Sequence, residues 1–345
     1  IGNIRISHLR QINLAVDIMG GDFGPRMTIN GIHQASKLFP NVNFRLFGNS
    51  KEANDELEKY SDFKNYELIH TKEFIKSDDE PVNALRKLKK SSLRLAVNDV
   101  GDGKSHGLVS AGNTGALMAI SKFVLKTING VNRPAIAGLM PTLKGEIVIL
   151  DLGANIECTD INLVQFALMG EVFSKSLLGT KKPNIGILNV GSEEIKGNAV
   201  VKQTFEKLEK LSSHINFYGF IEGNDINKGI VDVVVTDGFS GNIALKTAEG
   251  VAELIVSFLQ GSYKGSLISK IGYFLSKPAL NRFKARIDPR KYNGAVLLGL
   301  NGIVVKSHGG TDAFGFSNAI SSAISLIENN YNEEIKKKLS FFSDR

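Results

Sequence analysis

The chain has 345 residues, of which 42% are hydrophobic and 22% charged, enough apolar material for a sizeable core and far from disordered or fibrous compositions. Its single cysteine, Cys158, excludes an internal disulfide framework and any multi-cysteine zinc or iron-sulfur site, and fits a reducing cytoplasm. The formal charge of +7 favours acidic proteins, anionic lipid or phosphate-bearing ligands, whereas no nucleic-acid module or aromatic-interleaved basic repeat is present, and nucleic acid is not expected as a partner.

Residues 1–11 lack the apolar core of a signal peptide and are expected to form a peripheral extension. No later segment offers the run of about 18 apolar residues that a spanning helix needs. From Ile12 onward one pattern recurs: a short apolar run, a loop rich in Gly, Asn, Asp and Ser, then a helical stretch. Ile12–Ile18 precedes Gly20-Gly21-Asp22, and Gly107–Val109 precedes Ser110-Ala111-Gly112-Asn113-Thr114-Gly115 and a helix expected over Ala116–Lys126. Ile147–Leu150 runs into Asp151–Asn155, Ile185–Leu188 into Asn189–Glu193, and Val231–Val235 into Thr236–Asn242 with a helix over Ile243–Leu259. Val251–Arg286 carries Leu267, Ile268, Ile271, Phe274 and Leu275 at helical spacing among lysines, a stripe suited either to packing or to a membrane interface. Leu297–Gly302 and Ile303–Ser307 read as strands ending in His308-Gly309-Gly310-Thr311-Asp312, and Ala313–Lys338 as one or two closing helices.

Near-continuous apolar strands alternating with helices predict an α/β sheet covered on both faces. The expected body is residues 12–338, one α/β/α unit with two closely joined lobes and an amphipathic helical tip at 251–286, followed by a tail at 339–345. Ligands of such sheets bind beyond the carboxyl ends of the strands, where the polar loops would converge and the following helices would aim their amides at an anion.

No nicotinamide, nucleotide-triphosphate or zinc-protease signature occurs, and Gly238-Phe239-Ser240-Gly241 is not a serine-hydrolase elbow. Without an obvious side-chain nucleophile, the nucleophile is expected to be a bound substrate; loop amides with Asn, Ser and Thr donors suit phosphate. Lys196 and Lys306 are the candidate phosphate cations. His308 reads as acid, base, donor or simple surface histidine, Asp237 and Asp312 as orienting groups or helix caps, and Cys158 as packing.

Asp17-Ile18-Met19-Gly20-Gly21-Asp22-Phe23-Gly24-Pro25, Ser110–Ala116, Arg133-Pro134-Ala135-Ile136, Leu150–Asn155, Asn189–Gly197, Thr236–Asn242, Tyr292-Asn293-Gly294 and Lys306-Ser307-His308-Gly309 together resemble the acyl-acyl-carrier-protein:phosphate acyltransferase family of bacterial phospholipid synthesis. The resemblance implies a three-layer α/β/α fold with a large mixed, mainly parallel sheet, similar to phosphotransacetylase and isocitrate dehydrogenase-like folds. It implies transfer of a long fatty acyl group from acyl carrier protein to inorganic phosphate, giving acyl phosphate for a glycerol-3-phosphate acyltransferase. No metal or organic cofactor is implied. It further implies a homodimer attached peripherally to the cytoplasmic face of the membrane, with Leu267, Ile268, Ile271, Phe274 and Leu275 at the contact.

The expected site then comprises Lys306, His308, Asp237 and Asn242 for catalysis. Gly20, Gly21, Asp22, Ser110, Gly112, Asn113, Thr114, Asn155, Gly191, Glu193, Lys196, Ser240, Gly241 and Ser307 are expected to bind phosphate and substrate. Asn113 either grips phosphate or shapes the turn whose amides do. Arg282, Lys284, Arg286 and Arg290 are expected to steer the acidic carrier.

Overall fold

The computed structural model describes residues 11–343, so the expected extension at 1–11 lies outside them apart from Gln11. Strands β1 (Ile12–Asp17), β2 (Val42–Gly48), β3 (Tyr66–His70) and β4 (Gly107–Ser110) are separated by α1 (Gly24–Leu38), α2 (Ser50–Leu57), α3 (Pro81–Lys87) and α4 (Ser92–Gly101). Then come α5 (Thr114–Leu125), the hairpin of β5 (Ala135–Pro141) and β6 (Glu146–Leu150), α6 (Asp160–Leu178), β7 (Asn184–Leu188), α7 (Ala199–Lys210), β8 (Asn216–Ile221), α8 (Gly223–Ile226) and β9 (Val233–Val235). Two long helices, α9 (Gly238–Lys264) and α10 (Leu267–Ile287), lead to the hairpin of β10 (Ala295–Leu298) and β11 (Ile303–Lys306), and α11 (Ala313–Glu328) and α12 (Tyr331–Ser343) follow.

The strands are apolar on both sides because both sides are covered. Leu14 and Val16 of β1, Val109 of β4, Val305 of β11 and Val148 of β6 enter one core with α1, α6 and α11. Their neighbours Ala15, Leu108 and Val304 face the opposite way, into a second core with α4 and α5, while Ile147 and Ile149 meet α9 through Ala244 and Ala248. Period-two alternation across a two-sided sheet thus gives the three layers that the sequence predicts.

The sheet runs β3-β2-β1-β4-β11-β10-β5-β6-β9-β7-β8. Among the named strands, antiparallel pairing occurs only where β10 meets β11, β10 meets β5 and β5 meets β6. Three reversals in succession turn β6, β9, β7 and β8 against β1, β4 and β11. The carboxyl ends of the two halves therefore face opposite ways. They leave the sheet from nearly one level, because Leu150 is in register through Ala137 and Val296 with Val305. With β10 and β5 between them, Lys306 and Asp151 are separated by three strand spacings and two residues, roughly 15 Å.

Three expectations about the helices change. The helix expected over Ile243–Leu259 begins at Gly238 and runs to Lys264, the tip is a pair of helices meeting at Gly265-Ser266, and the tail expected at 339–345 is helical through Ser343. Asp237 starts α9 by accepting from Ser240 N at 2.7 Å. Beyond Ala248 the helix leaves the body, so Val251, Leu254, Ile255 and Phe258 stay exposed, and α10 buries no residue at all.

Candidate active site

One set of loops is organised by Asp17, the last residue of β1. It is 2% exposed and accepts from the hydroxyls of Ser92 and Ser110, each at 2.7 Å. Burial pushes its carboxyl up; the two serines and the N–H groups of Met19 and Gly20 oppose that shift. The loops after β1, β4 and β11 press together around it. A Cβ on Gly20 would lie 2.6 Å from Gly112 N, and Asp22 N donates to Gly309 O at 3.0 Å.

Lys306 ends β11 in this cluster. Its Nζ donates to Ala111 O at 3.3 Å and also to Ser307 O. Burial pulls the ammonium down to about 8, against the opposing fields of Asp17 and Asp22. Among the described residues no carboxylate forms an ion pair with it, so it remains a cation held by carbonyls.

Asn293 supports the same wall. Its Nδ2 donates to Ser307 Oγ at 2.8 Å and to Gly315 O at 2.7 Å, and its Oδ1 accepts from His308 N at 2.9 Å. The exposed His308 ring accepts from Gly310 N through Nδ1 at 3.1 Å. A backbone N–H can only donate, so the neutral ring carries its proton on Nε2 and presents a donor there.

Asn113 is committed to the fold. Its Oδ1 caps α5 through Ala116 N at 2.9 Å, while Nδ2 donates to Ser77 O at 3.0 Å and Asp79 O at 2.9 Å. Of the two readings of this residue, the structure supports the shaping of the turn. Asp312 likewise caps α11 through Gly315 N at 3.0 Å and pairs with Arg290 at 2.7 Å.

The second set is organised by Asp151, fully buried just beyond β6. It accepts from Ile136 N at 2.9 Å, Ala154 N at 3.1 Å, and Asn155 N and Nδ2 at 2.7 and 2.9 Å. Burial again raises the carboxyl. The first turn of α9 seats directly on this loop: Gly238 N donates to Asn155 O at 2.8 Å, and a Cβ on Gly241 would overlap Asp151 O. Asn242 is exposed beside Gly153. On the neighbouring strand Asn189 fixes its loop through Gly191 O at 3.0 Å, and the exposed Lys196 pairs with Glu193 at 2.9 Å. That pairing lowers Glu193 and raises Lys196. Burial pushes Cys158 up to about 11, which keeps it a thiol and agrees with a packing role.

The expected residues therefore fall into two groups. Gly20, Gly21, Asp22, Ser110, Gly112, Asn113, Thr114, Lys306, Ser307 and His308 stand together; Asn155, Gly191, Glu193, Lys196, Asp237, Ser240, Gly241 and Asn242 stand on the oppositely directed loops. The two groups stand at the carboxyl ends of oppositely running halves of the sheet that meet at nearly one level, and Leu152 and Ala154 of the Asp151 loop pack against the core that contains Ala116 and Leu117 of α5. Around the second group Ile156, Val190, Ile195, Phe239 and Ile243 are all exposed, and beside the first Phe23 and Phe314 are exposed as well. Sequence reasoning missed Asp17, Asp151 and Asn293 as site organisers, although each aspartate follows an apolar run directly.

Comparison with known proteins agrees with this architecture and names the chemistry. The family described as "Fatty acid synthesis protein" matches residues 12–334. A protein of Paramagnetospirillum magneticum named phosphate acyltransferase is 51% identical over 328 residues, covering 95% of this chain and 93% of its own length. The chain belongs to the phosphate acyltransferase family. A relative of the same name from Rhodospirillum centenum is also 51% identical, over 95% of this chain and 92% of its own. Among solved structures, a phosphotransacetylase from Streptococcus pyogenes superposes with a TM-score of 0.60 at 19% identity, covering 92% of this chain and 94% of that one. The EutD phosphotransacetylase from Staphylococcus aureus gives 0.58 at 16%, with the same coverage. At those identities the structures establish the fold, and the sequence relatives establish the family.

Proposed function

We propose that this family member transfers a long-chain fatty acyl group from acyl carrier protein to inorganic phosphate, and that phosphate is held in the Asp17 cluster. The observation that carries this assignment is Lys306, a partly buried ammonium without a carboxylate partner, beside the Ser110–Thr114 loop and the amides that open α5. Lys196 supports the role less well, because Glu193 already neutralises it.

In the proposed reaction a phosphate oxygen bonds to the thioester carbonyl carbon. The tetrahedral oxyanion collapses, the C–S bond breaks, and the pantetheine thiolate leaves and takes a proton from solvent. Lys306 and the loop amides orient phosphate, and the Nε2–H of His308 donates to the developing charge. The loops around Asp151, roughly 15 Å away by strand spacing, lie within reach of an extended thioester. Their exposed apolar rim suits the acyl donor, with Asn242 and Lys196 as its polar contacts.

The membrane and dimer readings belong with this proposal. Leu267, Ile268, Ile271, Phe274 and Leu275 are between 62% and 83% exposed on α10, which supports a tip that enters the headgroup region. No described helix is long and apolar enough to cross a membrane. The bare outer half of α9 would be covered by a second copy, and a glycerol-3-phosphate acyltransferase in the same membrane would take the acyl phosphate.

The deciding assay traps acyl phosphate with hydroxylamine while carrier, chain length and phosphate are varied. Long-chain product that depends on phosphate is expected; turnover confined to short acyl-coenzyme A would replace this reading with phosphotransacetylase activity. Leu267→Glu with Phe274→Glu should release the protein from anionic vesicles and leave turnover of dissolved substrate intact, and undiminished vesicle binding would reject the tip.

A further inference from the structure

We infer that the face built by α3, α4 and α5 is the docking surface for the acidic carrier protein that delivers the acyl thioester, an inference that rests on the reaction proposed above. Charge is the first ground for it. The face carries seven cations, in a chain whose 42 Lys and Arg exceed its 35 Asp and Glu by 7. Arg86 and Lys87 lie on α3, Lys89 and Lys90 just after it, Arg94 on α4, and Lys122 and Lys126 at the end of α5.

No Asp or Glu occurs between Glu80 and Asp99, or between Asp102 and Glu146. The one carboxylate on the three helices, Asp99, is 6% exposed and committed to Arg45 at 2.8 Å and Ser105 at 2.6 Å. Among the described residues none of the seven cations forms an ion pair. Surface lysines elsewhere commonly do, as Lys59 does with Glu56 and Lys228 with Asp225. Unneutralised cations gathered on one face attract an acidic partner at long range.

Shape and position then favour a protein. Phe123 is 54% exposed between Arg94, 5.4 Å from its ring centroid, and Lys126, at 4.9 Å. It borders a concavity of about 410 Å³ with Ala119, Lys122, Lys126 and Thr127. An aromatic anchor in a recess rimmed by charge fits a folded partner, while a flat bilayer meets projecting tips such as α10.

The face also adjoins the phosphate loops. α5 starts at the Ser110–Thr114 turn, and a Cβ on Gly115 would lie 2.6 Å from Pro81 Cγ at the head of α3. The twelve residues of α5 span about 18 Å, so a carrier seated along it can pass its thioester arm to Lys306. Of the four basic residues expected from sequence to steer the carrier, Arg290 is bound by Asp288 and Asp312 and Arg286 donates to Leu143 O, while Arg282 and Lys284 lie on α10, the helix proposed above to meet the membrane.

The test uses the full chain with two charge reversals, Lys122→Glu/Lys126→Glu and Arg86→Glu/Lys87→Glu. Steady-state kinetics are run with long-chain acyl carrier protein and with the same acyl group on a small pantetheine thioester. Each pair should raise KM for the acylated carrier at least about tenfold and flatten its salt dependence, while kcat, KM for phosphate and turnover of the small thioester stay as in the parent. A reversal that unfolds the chain is replaced by Lys122→Gln/Lys126→Gln, for which a smaller rise of the same sign is expected. Unchanged carrier KM in folded variants overturns the proposal. So does loss of phosphatidylglycerol vesicle binding with carrier KM unchanged, which would make this face a membrane contact. Carrier affinity is also read directly by fluorescence anisotropy, so absence of acyl phosphate from the parent protein would sink the reaction and leave the docking result standing on its own.

Discussion

The Asp17 and Asp151 clusters are built alike and equipped differently. Each centres on a buried carboxylate at the end of an apolar strand, raised by desolvation and saturated with donors, and each opens a helix, α5 or α9, with an Asn or Asp cap. Only the first adds a partly buried lysine that, among the described residues, no carboxylate pairs, and exposed apolar side chains are more numerous around the second than beside the first, where Phe23 and Phe314 stand. The likeness shows how this fold makes a rigid polar loop. In the proposed reaction the difference assigns the anion to the first loop and the apolar substrate to the second.

The largest expected effect tests that division directly. Lys306→Ala should lower kcat/KM for phosphate roughly 100- to 1000-fold, the scale of removing one preorganised charge from a site. Lys196→Ala should act about tenfold, chiefly on KM for the acyl donor, because its charge is exposed and already paired. Steady-state kinetics with each substrate varied separately would check this. Equal losses on phosphate from both variants would erase the distinction between the clusters.

The next effect separates the two aspartates by the kind of donor each receives. Asp151 takes three backbone N–H groups, which cannot reverse direction, and the Asn155 amide, which Pro134 O holds in place at 2.8 Å, so Asp151→Asn turns N–H against N–H at about 3 kcal/mol. Asp17 takes two serine hydroxyls that can rotate and accept from an amide, beside the N–H groups of Met19 and Gly20, so Asp17→Asn should cost less, about 1–2 kcal/mol. Urea unfolding of both variants gives the comparison, and an equal loss would mean that hydroxyl rotation does not rescue the first cluster.

What was legible in the sequence follows from the same physics. Apolar runs such as Ile147–Leu150 and loops such as Thr236–Asn242 declare strand and turn locally, so the layers and the polar loops that end the strands could be placed. Strand direction cannot be read that way. It is set by the two hairpins, whose turns place Gly145 at φ 147° and Gly299 at φ 87°, and by the pairing of β10 with β5, which joins segments far apart in sequence. One set of like-directed strand ends was therefore expected where two oppositely running sets stand. Asn113 was ambiguous for another reason, since a cap and a phosphate ligand use the same amide, and only the carbonyls of Ser77 and Asp79, far away in sequence, show where its Nδ2 is spent.

The smallest effect comes from titrating Lys306, and it moves activity and stability in opposite directions. With the ammonium at about 8 in the folded protein, raising the pH from 7 to 9 neutralises most of it, so KM for phosphate should rise about tenfold. The unfolded chain holds this proton up to its ordinary value of 10.5. Between pH 8 and 10.5 the unfolded state therefore binds more protons, and this residue's contribution to stability increases with pH. The Asp151 cluster has no such cation and should contribute no matching break. Comparing phosphate KM and urea midpoints for the parent and Lys306→Met removes the substrate's own ionisation, which is common to both. The break near pH 8 and the accompanying gain in stability should both disappear in Lys306→Met; a break that persists would place the titrating group elsewhere.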